Sequence, residues 1–502
     1  MKNLPVGFAL ALLAMFASSG ARAAVVGGQC READVRGAIA QAAPNTTIQF
    51  NCPANHRLQL RQPIVIAQNL TLITASNLIL DGSNQTRIIE VGERVNATLE
   101  GFTLINGRTQ TQGLAGAGGA IRTGTGSNLT VRRSEFRQNY AHGDGGGAIF
   151  SGYRSRLRVE GSRFVQNQAV ANSEGGKGER GGGAIAVASE SQTVILNSHF
   201  EANQGINGGA INTVLGSLRV EGSTFINNDS SGGGQFASPF GYDLGYGGAI
   251  FTDGASATPD ASTRGRIAIV SSRFVGNRGA GQGGGLFLFA YRGDEIEVKD
   301  TTIIQNRVVA SRDRSALGGG IRHGGGAALR LINVVLAENQ AQQQGGGLWS
   351  GEESAIAMDR VTFWGNQAIA PDRSVSLGGA MLLAGAAQVE IKRTTLAQNQ
   401  AGFQGGGVWG GSGNTRLEQV IAAHNRGGAN SNGYNVHHHT GTTFNGGPVV
   451  QSPEPNPNDT RLTPNTILLD PQLMPWQDNG KASPTHPCAR SGEVTGSGGR
   501  CR

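Results

Sequence analysis

The chain repeats one pattern of apolar and polar positions from about residue 100 onwards. The pattern is Phe/Leu/Ile-x-x-Asn, a polar connection, then Gly-Gly-Ala/Gly followed by an apolar residue. Between these landmarks lies a further short alternating segment, such as Leu157-Arg158-Val159 or Val389-Glu390-Ile391. The Asn positions are Asn139, Asn167, Asn203, Asn228, Asn277, Asn306, Asn339, Asn366 and Asn399. The apolar residues after the glycines are Ile121, Ile149, Ile185, Ile211, Ile250, Leu286, Ile321, Leu348, Met381 and Val408.

Alternation with a period of two predicts three short strands in each unit. A unit this small cannot bury its apolar face alone, whereas stacking units at strand spacing, about 4.8 Å, creates one continuous core. The sequence therefore predicts an all-β fold, a parallel β-helix (solenoid) of roughly a dozen three-stranded coils.

The repeated Asn and Gly residues have structural explanations. Asn side chains at one turn of successive coils can bond to each other and form a structural ladder. Glycines permit positive φ and close approach of neighbouring coils. A phosphate-binding loop would need Gly-Lys-Ser/Thr before a helix, and calcium-binding nonapeptides would need Asp where this chain has apolar residues, so neither is expected.

Composition agrees with many strands and tight turns, because Gly supplies 80 of 502 residues. The formal net charge of +7 permits an acidic partner without requiring one. The start resembles a secretory signal: Lys2, an apolar run from Leu4 to Phe16, then Ala21-Arg22-Ala23. We expect cleavage after Ala23, no membrane-spanning segment in the mature chain, and secretion or periplasmic residence, with association at the cell surface compatible with both.

Four cysteines occur, two near each end of the chain. Disulfides are the default in an exported protein, and three pairings are possible. We favour Cys30 with Cys52 and Cys488 with Cys501, because each bond would then hold one terminus. The spacing of these cysteines does not suggest a zinc site.

The connections between each Asn and the following glycines alternate between short and long. The long ones are loop I (169–181), loop II (229–247), loop III (307–317) and loop IV (367–377). Every second coil would project such a loop from one edge, giving a row with about 10 Å between members. Because a regular coil needs no insertion, we expect a functional surface there.

The long loops carry candidate ligand-binding residues. Aromatic rings beside an acid suit sugar faces and hydroxyls, and Arg suits the carboxylates of uronic acids. The alternative is that these residues only pack neighbouring loops together; both interpretations stay open. The candidates are Glu179, Arg180, Phe236, Phe240, Tyr242, Asp243, Tyr246, Asp313, Arg314, Asp372 and Arg373.

The FxxN…GGAI units resemble the repeats of the pectin-lyase-like superfamily. In particular they are similar to polymorphic outer-membrane proteins of the chlamydial type and to bacterial choice-of-anchor β-helix proteins. The resemblance implies a right-handed β-helix with an N-terminal capping helix. The segment CREADVRGAIAQAAPNTTIQF fits that helix, with Val35, Ala38, Ile39 and Ala42 on one face.

The domain organisation expected on this basis has four parts. Residues 1–23 are the signal peptide, and 24–62 form the N-terminal cap with the helix and first strand. Residues 63–430 form the β-helix, and 431–502 form a C-terminal cap or irregular tail.

Function follows less directly, because this fold hosts enzymes, adhesins and structural proteins. We expect a non-catalytic exported protein that binds a polysaccharide or a cell-surface component through its long loops, with no nucleic-acid partner and no cofactor. The alternative is a polysaccharide lyase acting on a uronate-containing polymer, in which case calcium could take part. A glycoside hydrolase fits less well, since the paired carboxylates of polygalacturonases are missing although Arg322-His323-Gly324 resembles part of their motif. The tract His437-His438-His439 is expected to be a surface feature, not a metal site.

Overall fold

The structure is a computed structural model. It describes residues 23–169, 181–238, 243–255, 264–352, 354–371, 376–385, 388–411, 414–428, 437–453, 459–491, 494 and 496–501. The fold is all-β. Strands make up 46% of the residues and form long parallel sheets, and helices make up 4%. This architecture is compatible with a solenoid. No helix within the described residues is both long and apolar enough to cross a membrane.

One sheet, called column one here, contains the strands that follow the Gly-Gly landmarks. Its neighbours pair in parallel, with Ile149 beside Ile121 and Ile185. Its 12 strands are Ile64–Ile66, Ile89–Val91, Ile121–Thr123, Ile149–Ser151, Ile185–Val187, Ile211–Val214, Ile250–Asp253, Leu286–Phe289, Ile321–Gly324, Leu348–Gly351, Met381–Ala384 and Val408–Gly410.

A second sheet of 27 strands runs as two columns side by side. Column two consists of Ala23–Gly27, Thr46–Asn51, Leu70–Thr74, Asn96–Glu100, Asn128–Arg132, Arg156–Glu160, Gln192–Leu196, Ser217–Glu221, Arg266–Val270, Gln388–Lys392, Thr415–Glu418 and Asn445–Gly446. Column three consists of Arg57–Gln59, Ile79–Asp81, Thr103–Ile105, Glu135–Arg137, Arg163–Val165, His199–Glu201, Thr224–Ile226, Arg273–Val275, Thr395–Ala397, Val420–Ala423, Val449–Gln451 and Thr466–Leu468. Three longer strands pass through both columns: Glu295–Ile304, Ala328–Ala337 and Ala355–Trp364.

Column four consists of short strands that directly follow the repeated Asn, together with one strand at the end of loop III, Ala316–Leu317. They are Gln168–Ala169, Gln204–Gly205, Arg278–Gln282, Arg307–Val309, Ala316–Leu317, Gln340–Ala341, Gln367–Ala368, Gln400–Ala401 and Arg426–Gly427. A repeat therefore contains up to four strands where the sequence pattern predicted three, because two residues at the corner also pair with their neighbours.

The single described α-helix, α1, spans Glu32–Gln41 and buries Val35 and Ile39. Ala38 and Ala42 pack partly buried against the same core, as the amphipathic pattern predicted. Two turns of 3-10 helix occur at Gly113–Gly116 and Ser231–Gln235.

The core lies between the columns and is filled by their inward-facing residues. In column three, five phenylalanines stack ring on ring with 4.7 Å between successive centroids. This distance matches the spacing between hydrogen-bonded strands, so each ring covers the next. The rings are Phe136, Phe164, Phe200, Phe225 and Phe274.

The repeated Asn residues form a hydrogen-bonded column at the corner after column three. Asn167 Nδ2 donates to Asn203 Oδ1 at 2.9 Å and to the Phe136 carbonyl at 3.0 Å. The same pattern continues through Asn399 to Asn425, a ladder position that was not among those predicted from the sequence. Asn425 Nδ2 in turn lies 3.1 Å from His439 Nδ1.

The glycine after each connection serves close packing. Gly208 has a φ of +73°, and a Cβ built on it would lie 2.0 Å from the Ile211 carbonyl oxygen. Any side chain would collide with backbone there, which explains the invariant spacing to the next strand.

Both predicted disulfides are present, Cys30–Cys52 and Cys488–Cys501. The predicted signal segment lies outside the described residues, except that Ala23 begins the first strand.

The C-terminal segment, residues 470–501 as far as described, folds back along the outside of column three; we call it the strap. Its polar contacts fall on successive strands of that column. They join Asp478 to Arg273, Ala482 to Thr302, His486 to Asn333 and Thr362, and Ser497 to Thr362 and Thr395.

Candidate functional site

The structure places the candidate loop residues in three different situations. Phe236 is partly buried, Asp243 and Tyr246 are buried, and Asp313 and Arg314 are exposed. The remaining candidates lie outside the described residues: Glu179, Arg180, Phe240, Tyr242, Asp372 and Arg373. The ligand-binding role of all of these residues stays a prediction.

Loops II and III contact each other through Asp243. Its Oδ2 accepts a hydrogen bond of 2.8 Å from the Asp313 backbone N–H, and its Oδ1 lies 3.4 Å from Arg312 Nε. The Arg312 N–H also donates to the Gly234 carbonyl at 3.1 Å. These contacts join loops II and III into one wall. Both carboxylate oxygens of Asp243 are in contact with loop III.

Tyr246 ends loop II against column one. Asn207 Oδ1 accepts from the backbone N–H groups of Gly245 and Tyr246 at 2.9 and 3.0 Å, which fixes this end of the loop. The Tyr246 ring stacks on Phe287 with 5.1 Å between centroids. Burial, followed by the nearby carboxylates of Asp313 and Asp243, raises the pKa of Tyr246 to about 12.

Beside this wall, four neighbouring strands of column one carry aromatic rings and one arginine on their outward face, where a solvated sheet face would carry polar residues. Phe251, Phe287, Arg322 and Trp349 occupy equivalent positions on four neighbouring strands. Phe251 and Phe287 form, with Tyr246, an apolar cluster separate from the core. We call Phe251, Phe287, Phe289, Tyr291, Arg322 and Trp349 the aromatic strip.

Arg322 is the centre of the aromatic strip and is only 4% exposed. Its guanidinium carbon lies 4.9 Å from the Phe287 ring centroid on one side and 5.1 Å from the Trp349 ring on the other. Its Nη2 donates to Glu352 Oε1 at 2.5 Å. Burial lowers the pKa of Arg322, although Glu352 acts in the opposite direction.

Glycines two residues further along these strands let the long side chains lie across the sheet. A Cβ on Gly324 would lie 2.3 Å from Arg322 Nη1, and one on Gly351 would lie 2.6 Å from the Trp349 ring. Trp349 is partly exposed, and its Nε1–H donates to Gln344 Oε1 at 3.1 Å. The indole therefore lies in a fixed orientation with part of its surface accessible.

Tyr291 extends the aromatic strip to the edge of the sheet and is 46% exposed. Its ring meets Phe289 edge to face at 5.4 Å, and its hydroxyl donates to Asp253 Oδ1 at 3.1 Å. Partial burial and then Asp253 raise the pKa of Tyr291 to about 12. An accessible ring held beside a carboxylate suits a sugar, whose apolar face stacks and whose hydroxyls donate.

The histidine tract does not gather into one site. His439 is buried between Asn425 and Ser452, and the Nδ1 of His438 accepts from the Gly427 N–H at 3.1 Å. Across the described part of the chain, no three His, Cys, Asp or Glu side chains are grouped so as to hold a metal ion.

Sequence reasoning concentrated on the loops and missed the aromatic strip. The signal was present in the second residue after each Gly-Gly-Ala/Gly triplet, which is Phe, Arg or Trp in four successive repeats. A strand of period two should place a polar residue there if its outer face meets only water.

Comparison of this chain with protein-family models, with curated proteins and with solved structures finds no match.

Proposed function

We propose that this chain is an exported, right-handed parallel β-helix that binds an extended polysaccharide along the outward face of column one. In this proposal about a dozen coils form the stack, α1 closes its N-terminal end, and the long loops form one wall of the binding groove. Two disulfides are consistent with export. The repeat resembles that of the pectin-lyase-like superfamily.

The observation that carries the binding function is the aromatic strip. Trp349 lies on a strand of column one and Tyr291 lies just after the end of another, both with exposed ring surface, and Asp253 and Arg322 supply polar groups beside the rings. Strands at about 4.8 Å give a straight row of positions, which matches an extended chain better than a compact ligand.

The alternative activity is β-elimination, and one feature favours it. Buried Arg322 has a lowered pKa, and a lyase needs a base to remove the proton next to a uronate carboxylate. Appearance of the ultraviolet absorbance of an unsaturated product from pectate, alginate or a glycosaminoglycan would establish the lyase instead of the binding protein.

The binding proposal is tested by affinity electrophoresis in gels containing pectate, alginate or a glycosaminoglycan. Trp349→Ala and Tyr291→Ala should each weaken retardation about tenfold, since stacking of a ring on a sugar contributes about 1–2 kcal/mol. Tyr140→Ala is the matched control, because Tyr140 is a partly buried tyrosine in a short connection.

We expect the polysaccharide to retard wild type and Tyr140→Ala equally and both strip variants more weakly, while all four proteins show the same thermal unfolding midpoint. Equal retardation of the strip variants and wild type would contradict this location for the site. Equal retardation in a gel without polysaccharide would contradict binding itself.

A further inference from the structure

We infer that Arg322 is the receptor for an oxyanion carried by the bound sugar chain, and that Glu352 occupies the anion's position until the ligand displaces it. This inference rests on the proposed function and names the chemical class of its ligand, a polysaccharide that bears carboxylate or sulfate groups.

The first argument is that the guanidinium has unused donors. Arginine carries five N–H donors. The hydrogen bond from the Arg322 guanidinium to Glu352 uses only Nη2. Nε and Nη1 are buried and have no hydrogen-bond partner among the described residues. Because a buried polar group without a partner is unfavourable, these donors favour a further acceptor at this position.

The second argument is that Glu352 fits the position loosely. Its Oε1 bonds Arg322 Nη2, but its Oε2 accepts from the Gly325 backbone N–H at 2.8 Å and not from Nη1. The Glu352 side chain is 43% exposed, while that of Arg322 is 5% exposed. Glu352 can therefore rotate into water without a large desolvation change, whereas the buried arginine stays in place.

The third argument is geometric. An incoming carboxylate or sulfate can bond both Nη atoms of one guanidinium side by side, an arrangement stronger than the single bond that Glu352 makes. Gly324 makes room for the guanidinium and for Glu352 over the strand, since a Cβ there would collide with Nη1 and with Glu352 Oε2; when Glu352 moves away, the part of this space that its carboxylate fills becomes free for the anion. Phe287 and Trp349 hold the guanidinium plane on both sides, so its direction is fixed before a ligand arrives.

The proposed displacement predicts opposite effects for the two partners. Glu352→Gln removes the competing charge but can still accept from the Gly325 N–H, so we expect about tenfold tighter binding of a pectate oligosaccharide. Arg322→Gln should weaken that binding at least about tenfold. Arg330→Gln is the control, because Arg330 is an exposed arginine of column two with 61% side-chain exposure.

The measurement is titration calorimetry of the full chain with three oligosaccharides of equal length. Pectate supplies carboxylates, carrageenan supplies sulfates, and carboxyl-reduced pectate supplies neither. We expect wild type to bind at least one of the two anionic oligosaccharides more tightly than the reduced one. The anionic oligosaccharide that Glu352→Gln binds more tightly than wild type does identifies the anion as carboxylate or sulfate. The reduced oligosaccharide should bind all four proteins equally.

Two results would overturn the assignment of Arg322. One is equal binding of charged and reduced oligosaccharides by wild type, which leaves the proposed function intact. The other is unchanged or weaker affinity of Glu352→Gln for both anionic probes. Glu352→Gln alters only a partly exposed side chain, so it avoids the risk of misfolding that Arg322→Gln carries. Absence of binding to all three probes would remove the proposed function and this inference with it.

Discussion

At the residue scale, the Asn column shows how one side-chain type can serve ten repeats. Asn228 Oδ1 accepts from the Asn203 backbone N–H at 3.1 Å and from Asn203 Nδ2 at 2.9 Å. Its Nδ2 donates to Asn277 Oδ1 at 2.9 Å and to the Phe200 carbonyl at 3.1 Å. Only an amide both accepts and donates at this distance from the backbone, so neither Asp nor Leu can replace it.

Asn228→Ala should therefore be strongly destabilising. It leaves buried donors and an acceptor without partners in two neighbouring repeats, each at a cost of about 1–3 kcal/mol. We expect a loss of at least about 3 kcal/mol in the free energy of unfolding, measured by chemical denaturation. Asn227→Gly is the control: Asn227 is exposed with a φ of 52°, which glycine adopts freely, and a similar loss there would contradict the ladder's role.

At the element scale, the strap explains why the outer positions of column three change character along the chain. In the N-terminal repeats these positions include Arg163 and Glu201, which form an ion pair at the surface. In the C-terminal repeats many of them are apolar and pack against the strap, in a cluster separate from the core, beside the threonines that bond to it. That cluster contains Ile304, Val335, Ala337, Trp364, Ala397, Ile421, Ala423, Val450, Ala489 and Val494.

The strap's outermost attachment is the pair of hydrogen bonds from Arg273 to Asp478, at 2.8 and 2.5 Å. Asp478→Asn should free the strap locally, because a charge-assisted bidentate bond contributes about 1.5–3 kcal/mol. Hydrogen exchange measured by mass spectrometry should then be about tenfold faster or more in residues 475–486, and unchanged in Leu218–Val220. Asp470→Asn, at an exposed carboxylate 3.4 Å from His424, is the control; equal acceleration in both variants would show that Arg273 does not hold the strap.

At the scale of the whole molecule, two buried histidines couple stability to pH. Burial lowers the pKa of His323 in column one and of His486 in the strap to about 4 each, and Arg360 adds to the effect at His486. The unfolded chain binds these protons near the usual pKa of about 6.5. Between pH 6.5 and 4 the unfolded state thus holds more protons, so stability rises with pH in this window and is constant above it.

We expect the free energy of unfolding to fall by about 1.4 kcal/mol per pH unit for each histidine as the pH drops below 6.5. The slope is measured between pH 6.5 and 5, above the range in which the titration of carboxylates dominates. His486→Asn should halve this slope, whether or not the substitution changes the free energy of unfolding at pH 7. A slope identical in wild type and His486→Asn would contradict a neutral buried imidazole.

Much of the architecture was predictable because repetition removes ambiguity. The period-two pattern and the Gly-Gly spacing recur in register, so a parallel all-β stack is the arrangement that buries every unit's apolar residues at once. The local disulfides followed from the position of the cysteines at the ends. The helix Glu32–Gln41 followed from its apolar face.

The sequence by itself determined the repeating unit, its inward-facing residues and its ladder positions, since these depend on neighbours a fixed number of residues away. Only the tertiary structure decided which outward-facing residues meet each other. Glu352 bonds Arg322 from the neighbouring repeat, and His486 lies between Asn333 and Thr362, through contacts that no spacing along the chain encodes. The candidate site and the strap are built from such contacts. The repeat determines the core of the stack, whereas the loops and termini that fold onto the stack determine its outer surface.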